Sequence, residues 1–193
     1  LPFLDFRPYE ITSSIIEGRK TCDVIGKPCA EESFVYIVID KENGDTLTMD
    51  SNKWTSQFTD YSFVSNTGEK KILKTGYEPP IHDFDIYRAN GDDMTDSILN
   101  MDRVFLLISY DINKTNLKGH IESYEMNTVP IYGLSSSSID DIKLKLGLEE
   151  LNYPYLSVDQ TTLKTIVRSN PGLVLLENGI VVDKWHWRDI PKK

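Results

Sequence analysis

The sequence predicts an α/β protein, with a mixed sheet and helices on both faces in residues 81–193 and a β-rich N-terminal accessory region in residues 1–80. Three observations predict it. Val104-Phe-Leu-Leu-Ile108 is an unbroken apolar run of strand length, as expected of a strand buried on both faces. After it, apolar residues alternate between helix and strand spacing, which implies parallel strands joined by right-handed crossovers. The chain then turns at Glu177-Asn-Gly179, an Asn-Gly hairpin signal that adds an antiparallel edge.

Each element follows from local chemistry. Phe34 to Ile39 is β-branched and aromatic and favours a strand; Lys41-Glu-Asn-Gly-Asp45 turns the chain, and Thr46-Leu-Thr-Met49 returns. Tyr61 to Val64 and Lys71 to Leu73 predict a second hairpin around Asn66-Thr-Gly68. Gly76-Tyr-Glu-Pro-Pro80 breaks the pattern and marks the domain boundary. Phe84 to Tyr87 reads as a short strand, with Thr95 capping a helix to Leu99. Beyond the strand 104–109 come a helix over about 115–125 and a strand over 129–134. Ser138 then caps a helix carrying Ile139, Ile142 and Leu146, with Asp140 and Asp141 where the macrodipole favours acids and Gly147 at its end. An extended piece near Tyr155 leads to Asp159, the cap of a helix bearing Leu163, Ile166 and Val167; strands 173–176 and 180–182 flank the final turn.

Composition excludes several function classes. With 39% hydrophobic and 26% charged residues in 193, the chain is ordinary for a folded domain and can bury roughly 70% of its unfolded surface. A net charge of −9 argues against nucleic acid, whose backbone is bound by Lys and Arg releasing counterions. Lys184, Arg188, Lys192 and Lys193, interleaved with Trp185 and Trp187, read as a solvated terminus in preference to a membrane contact. No run has the length to span a bilayer, and the start, Leu1 in place of an initiator Met, is that expected of a fragment of something longer. His82, His120 and His186 show no ligand spacing, and zinc would need two ligands beyond Cys22 and Cys29, so neither a metal nor a cofactor is expected. The two cysteines, seven apart around Gly26 and Pro28, are a candidate disulfide in an oxidising compartment and would stay free in the cytosol.

The helix Thr162-Leu-Lys-Thr-Ile-Val-Arg-Ser-Asn-Pro171, the strand Gly172-Leu-Val-Leu-Leu176 and the turn at Glu177-Asn-Gly179 resemble the end of the thioredoxin fold. The resemblance implies a cis Asn170–Pro171 bond and a thioredoxin-like mixed sheet. A narrower resemblance rests on Leu1-Pro-Phe-Leu-Asp-Phe-Arg-Pro-Tyr9, Gly76-Tyr-Glu-Pro-Pro-Ile-His-Asp-Phe84 and Leu163-Lys-Thr-Ile-Val-Arg-Ser-Asn-Pro-Gly172. These segments look like the tail of bacterial DoxX-like membrane proteins, which implies an extracytoplasmic, periplasmic-side domain whose partner is a membrane module upstream in the same chain.

Thioredoxin chemistry needs a dithiol at the start of the helix after the first central strand, where the helix N-terminus lowers a thiol pKa. Here Tyr110-Asp-Ile-Asn-Lys-Thr-Asn-Leu117 follows that strand without a cysteine, so residues 81–193 read as a thioredoxin-like domain lacking the CxxC dithiol, with no catalytic residue assigned. Asp111 reads first as a helix cap and Tyr110 as packing. Their functional reading joins them to Asn170 and Pro171: the resemblance implies a groove at the loop proline that takes an extended peptide as an added strand. The expectation is a non-catalytic binding or scaffolding domain. The alternative is a thiol-disulfide oxidoreductase using Cys22 and Cys29, or acting with cysteines of the upstream module.

Overall fold

The computed structural model describes residues 8–124, the side chains of residues 121–124 excepted, and residues 129–191. In chain order its elements are α1 (Ile15–Gly18), α2 (Cys22–Ile25), β1 (Glu31–Asp40), β2 (Thr46–Asp50), α3 (Ser51–Ser56), β3 (Tyr61–Lys74), α4 (Thr95–Leu99) and β4 (Val104–Ser109). A 3-10 turn (Ile112–Lys114) leads on to α5 (Leu117–Tyr124), β5 (Ile131–Ser135), α6 (Ile139–Leu146), β6 (Tyr155–Ser157), α7 (Gln160–Ile166), β7 (Gly172–Glu177) and β8 (Ile180–His186).

The chain divides into two units, Leu1–Arg19 with Pro80–Lys193, and Lys20–Pro79. The division differs at one end from the expected 1–80 and 81–193. Residues 12–15 run along the outer edge of β8: Thr12 N–H donates to Val181 O (2.7 Å), Val181 N–H to Ser13 O (2.9 Å) and Ile15 N–H to Gly179 O (2.8 Å). Tyr9 and Ile15 are buried in the core of the larger unit. Covering an edge strand satisfies its unpaired backbone groups, and so short a segment carries no periodicity that sequence reading could detect.

In the larger unit the sheet order is β6-β5-β4-β7-β8, with β4, β5 and β6 parallel and β7 and β8 antiparallel to their neighbours. All six β4 residues are buried, and they alternate between two cores. Val104, Leu106 and Ile108 meet Ile15, Ile98, Leu163 and Ile166, from α1, α4 and α7. Phe105 and Leu107 face the second core, where Ile142 of α6 packs with Tyr155, Leu173 and Leu175. A mixed sheet between two helical layers is the thioredoxin-like arrangement that the resemblance implies, and the Asn170–Pro171 bond is cis.

The caps at Ser138 and Asp159 form as read: Ser138 Oγ accepts from Asp141 N–H (3.1 Å), and Asp159 Oδ1 from Thr161 N–H (2.7 Å) and Thr162 N–H (3.1 Å). Gly147 ends α6 in the left-handed region, and Asn178 and Gly179 shape the last turn in the same way. Three readings need correction. Phe84–Tyr87 is not a strand; Phe84 and Ile86 are buried, and only Tyr87 pairs, exchanging two backbone hydrogen bonds with Ser157 at 3.0 and 2.7 Å. Thr95 does not cap α4: Asp93 Oδ1 accepts its N–H (2.8 Å), while Thr95 Oγ1 accepts from Ile86 N–H (2.9 Å). The helix expected over 115–125 begins at Leu117, after the 3-10 turn, and its expected last residue lies outside the described residues.

The smaller unit is an antiparallel sheet of order β2-β1-β3. The hairpin expected around Asn66-Thr-Gly68 is instead one 14-residue strand. Between the pairs Phe34↔Lys70 and Tyr36↔Asn66 the register shifts, and a bulge absorbs the turn residues. Asn66 Oδ1 accepts from Gly68 N–H (2.9 Å) and Thr67 Oγ1 donates to Val35 O (2.9 Å), so the turn-forming side chains are satisfied without reversing the chain. Helix α3, missed in the sequence, is capped by Asp50 (Lys53 N–H to Oδ1, 2.9 Å).

Candidate functional site

The loops that follow β4 and precede β7 meet. Asn170 Nδ2 donates to Asp111 O (2.7 Å), Asn116 N–H donates to Asn170 O (3.1 Å), and Tyr110 OH donates to Arg168 O (3.1 Å). Tyr110 O accepts from Gln160 Nε2 (2.8 Å) and Ser136 Oγ (3.3 Å). Three of the four proposed groove residues, Tyr110, Asp111 and Asn170, are thus brought together by hydrogen bonds. Pro171 is buried: a Cβ on Gly119 of α5 would meet its Cγ at 2.7 Å and Trp187 Cβ at 2.8 Å, so only glycine lets the helix lie this close. Ser169 Oγ donates to Pro171 O and accepts from Trp187 N–H (3.1 Å). Asp111 Oδ1 accepts from Asn113 N–H (3.2 Å) and Oδ2 lies 3.1 Å from Lys114 Nζ; the Lys114 hydrogen bond holds this carboxyl below the ordinary range. Asn170 Oδ1 is buried with no hydrogen-bond partner among the described residues.

Directly beneath this loop lies a polar chain that sequence reading missed. His120 Nε2 is 3.0 Å from Thr115 Oγ1 and 3.1 Å from Ser109 Oγ, and Nδ1 is 2.9 Å from Tyr155 OH and 3.4 Å from Tyr153 OH. Tyr153 OH and Tyr155 OH are 3.3 Å apart. All five residues are buried. Gly133 of β5 makes room for the chain: a Cβ there would come within 2.4 Å of the Tyr155 ring. Burial lowers the His120 pKa to about 4, so the imidazole is neutral at pH 7; it also raises Tyr153 to about 12 and Tyr155 higher still.

Ser109 and His120 have the separation of a nucleophile and its base, but Ser109 is fully buried and shares the imidazole nitrogen with Thr115. The group on Nδ1 is a phenol, which cannot stabilise an imidazolium as a carboxylate does. The cluster satisfies buried polar groups and does not present a nucleophile. Its sequence signal is the helical spacing of Leu117 and His120, three residues apart on one face of the expected helix.

The cysteines belong to the smaller unit. Cys22 and Cys29 are bridged (S–S 1.96 Å, Cα–Cα 5.2 Å), and Lys27 Nζ sits 4.9 Å from the centre of the Tyr77 ring. Asp23 Oδ1 is 3.3 Å from Cys29 Sγ, and these three residues form the one group among those described whose atoms are spaced to hold a metal. Both sulfurs are bonded to each other, which leaves one carboxylate as donor. In the basic terminal segment Lys184 Nζ donates to Ile166 O (2.9 Å), Arg188 lies over Trp187 (4.8 Å), and Lys192 and Lys193 fall outside the described residues.

No protein-family model and no curated protein matches the chain. Solved structures similar to it include an exposed lipoprotein thioredoxin from Streptococcus pneumoniae (18% identity, 54% of this chain and 88% of that one, TM-score 0.37). A thioredoxin from Wuchereria bancrofti matches at 19% identity over 57% of this chain and 88% of its own, TM-score 0.38. A putative protein disulfide isomerase from Bacteroides thetaiotaomicron matches at 14% identity over 54% and 75%, TM-score 0.39. Among the described residues no helix is long and apolar enough to cross a membrane.

Proposed function

We propose that this chain is a non-catalytic thioredoxin-like binding domain that works outside the cytoplasm. One observation carries the reading: the helix start after β4, where dithiol chemistry would sit, holds Asp111 and its Lys114 partner, with no sulfur from Tyr110 to Leu117. The partner class is an extended peptide at the loop formed by Tyr110, Asp111, Asn170 and Pro171. Strand addition there exchanges the Asn116 N–H on the Asn170 carbonyl for a peptide N–H, a near-even trade because such a bond is worth about 0.5–1.5 kcal/mol net. The Cys22–Cys29 bridge supports the compartment, since disulfides persist where the surroundings are oxidising. Attachment to a DoxX-like membrane module rests on the three sequence segments at 1–9, 76–84 and 163–172. A protein that carries such a module ahead of this domain is expected to sediment with membranes, and one found only in the soluble fraction would end this part of the proposal.

The test of the reading is a disulfide-exchange assay on this chain, such as insulin reduction with dithiothreitol. The expected rate equals background. Turnover that disappears in Cys22→Ser would overturn the proposal in favour of a thiol-disulfide oxidoreductase built on the smaller unit.

A further inference from the structure

In the smaller unit the sulfurs of Cys22 and Cys29 and a carboxylate oxygen of Asp23 all lie within 4.8 Å of one another. Asp23 Oδ1 is 3.3 Å from Cys29 Sγ. The backbone that presents these groups is held without help from the sulfurs. Cys22 and Asp23 open α2, and the chain closes behind them: Lys27 N–H donates to Cys22 O (3.0 Å) and Gly26 N–H to Asp23 O (3.4 Å). Gly26 is in the left-handed region that ends such a turn. Cys29 is fixed from the other side. Tyr77 N–H donates to Pro28 O (2.8 Å), and Cys29 pairs with Tyr77 as an isolated bridge. A Cβ on Gly76 would meet the Cys29 carbonyl carbon at 2.2 Å, so only glycine lets the two segments lie this close.

From this geometry we infer that the cysteine pair, once reduced, is a zinc-class metal site with Cys22 Sγ, Cys29 Sγ and the Asp23 carboxylate as its protein ligands and water in the fourth position. The step that opens it is thiol–disulfide exchange. A dithiol reductant gives two electrons and two protons to the Cys22–Cys29 bond and leaves as its own disulfide. Zn²⁺ then replaces the proton on each thiol, and both protons pass to solvent. Bridge and metal exclude each other, because the same two sulfurs make both.

Distances and ligand types each support the assignment. With Zn–S about 2.3 Å and Zn–O about 2.1 Å, two sulfurs on a tetrahedron stand roughly 3.8 Å apart, and a sulfur and an oxygen roughly 3.6 Å. At 3.3 Å the contact between Asp23 and Cys29 is already near the second value. The cysteine Cα atoms are 5.2 Å apart, so rotation about the Cα–Cβ bonds parts the sulfurs to the first without moving the backbone. Two thiolates favour zinc over Mg²⁺ and Ca²⁺, which take oxygen ligands. Cysteine and histidine spacing finds only two ligands here; Asp23 is the third, and three protein ligands with one water is an arrangement that zinc adopts. The site stands apart from the peptide loop. Turnover in the exchange assay would sink the non-catalytic reading and leave the metal site, while a reduced chain that binds no zinc would sink the site alone.

The test compares the bridged chain with the same chain reduced by dithiothreitol and desalted anaerobically. Zn²⁺ is titrated by calorimetry, and Co²⁺ serves as the spectroscopic probe. Expected are one ion per reduced chain, thiolate-to-cobalt charge-transfer absorption with intense tetrahedral d–d bands, and no saturable binding to the bridged chain. Mg²⁺ should not compete. Asp23 is exposed, so Asp23→Asn leaves the bridge and the fold in place. After reduction this variant should bind Zn²⁺ at least ~10-fold more weakly, since even outer-shell partners of a metal are worth about 10–100-fold. Asp23→Glu keeps a carboxylate and should recover part of the loss. Trp54 emission and circular dichroism confirm that each zinc-loaded chain is folded. A reduced chain that binds no Zn²⁺ overturns the proposal, and so does equal binding by bridged and reduced chains. Unchanged affinity in Asp23→Asn overturns the three-ligand assignment. One ion per two chains would put a second copy's thiolates in the position given to water, with the same result.

Discussion

β4 and β3 are both apolar enough to be read as strands, yet they live in opposite surroundings. All six residues of β4 are buried, and none of the fourteen in β3 is. β4 lies between two helical layers and feeds a core on each face. β3 is an edge strand of a sheet whose buried residues come down to Ser33, Val38 and Met49. The larger unit is therefore held by apolar burial, roughly 25 cal/mol for each Å² removed from water. The smaller unit relies on staples, as small scaffolds do. These are the Cys22–Cys29 bridge, an edge-to-face group of Tyr36, Trp54 and Phe63, and cross-strand ion pairs. Closing so short a loop contributes about 2–3 kcal/mol on chain-entropy grounds.

The contrast can be broken most directly by truncation. Leu106→Ala should cost the larger unit about 2–5 kcal/mol, because it removes a fully buried side chain and leaves a cavity. Ile72→Ala in β3, at a side chain 57% exposed, should move stability by no more than ~0.5 kcal/mol. Urea unfolding reads both, with Trp54 reporting the smaller unit and Trp185 and Trp187 the larger. Equal costs would mean that β3 is covered in solution and would end the comparison.

Acid should separate the units next. His120 titrates near 6.5 when unfolded and at about 4 in the fold, where burial opposes its charge. Above pH 6.5 it is neutral in both states and its contribution is complete. As pH falls from 6.5 toward 4 only the unfolded chain takes up the proton, so the larger unit loses stability across that window and no further below it. The loss is on the order of 3 kcal/mol at most. Urea midpoints from Trp185 and Trp187 should fall between pH 7 and 4, and the fall should flatten in a folded His120→Asn variant. A wild-type midpoint independent of pH across that window would show His120 to be solvated.

How much of this could be read in advance depended on the range of the interactions. β4, β7, β8 and the α6 and α7 caps follow from residues within a turn or strand of one another, and they form where the pattern put them. The Asn66-Thr-Gly68 bulge failed because Asn-Gly-type chemistry marks a left-handed residue without saying whether the chain reverses there. Tyr9, Ile15 and the segment on β8 were illegible, since residues 12–15 pair with Gly179 and Val181 near the far end of the chain and Tyr9 packs on Phe84, well outside its own local segment. Tyr110, Asp111, Asn170 and Pro171 were legible as one candidate groove, together with the missing thiol after β4; the hydrogen bonds that join their loops were not. His120, Thr115 and Ser109 are close in the chain, but Tyr153 and Tyr155 join them through the β5–β6 pairing and the space over Gly133.

The smallest effect tests whether the smaller unit's ion pairs matter at all. Lys70 Nζ lies 2.6 Å from Glu32 Oε2 and Lys74 Nζ 3.2 Å from Glu31 Oε1, both between β1 and β3. Every one of these side chains is more than a third exposed, so water screens the attraction and ordering two long side chains offsets much of what remains. Each pair should contribute less than about 1 kcal/mol, so Lys70→Ala or Lys74→Ala should shift the Trp54 urea midpoint only slightly. Lys70 has a second contact, with its Nζ 5.9 Å from the centre of the Phe34 ring, and this makes the two lysines unequal. Raising the salt to ~1 M, where the Debye length is about 3 Å, should erase the Lys74 effect and leave a residue of the Lys70 effect. If both effects survive high salt at full size, the pairs are desolvated, and β3 is buried against a surface that its own unit does not supply.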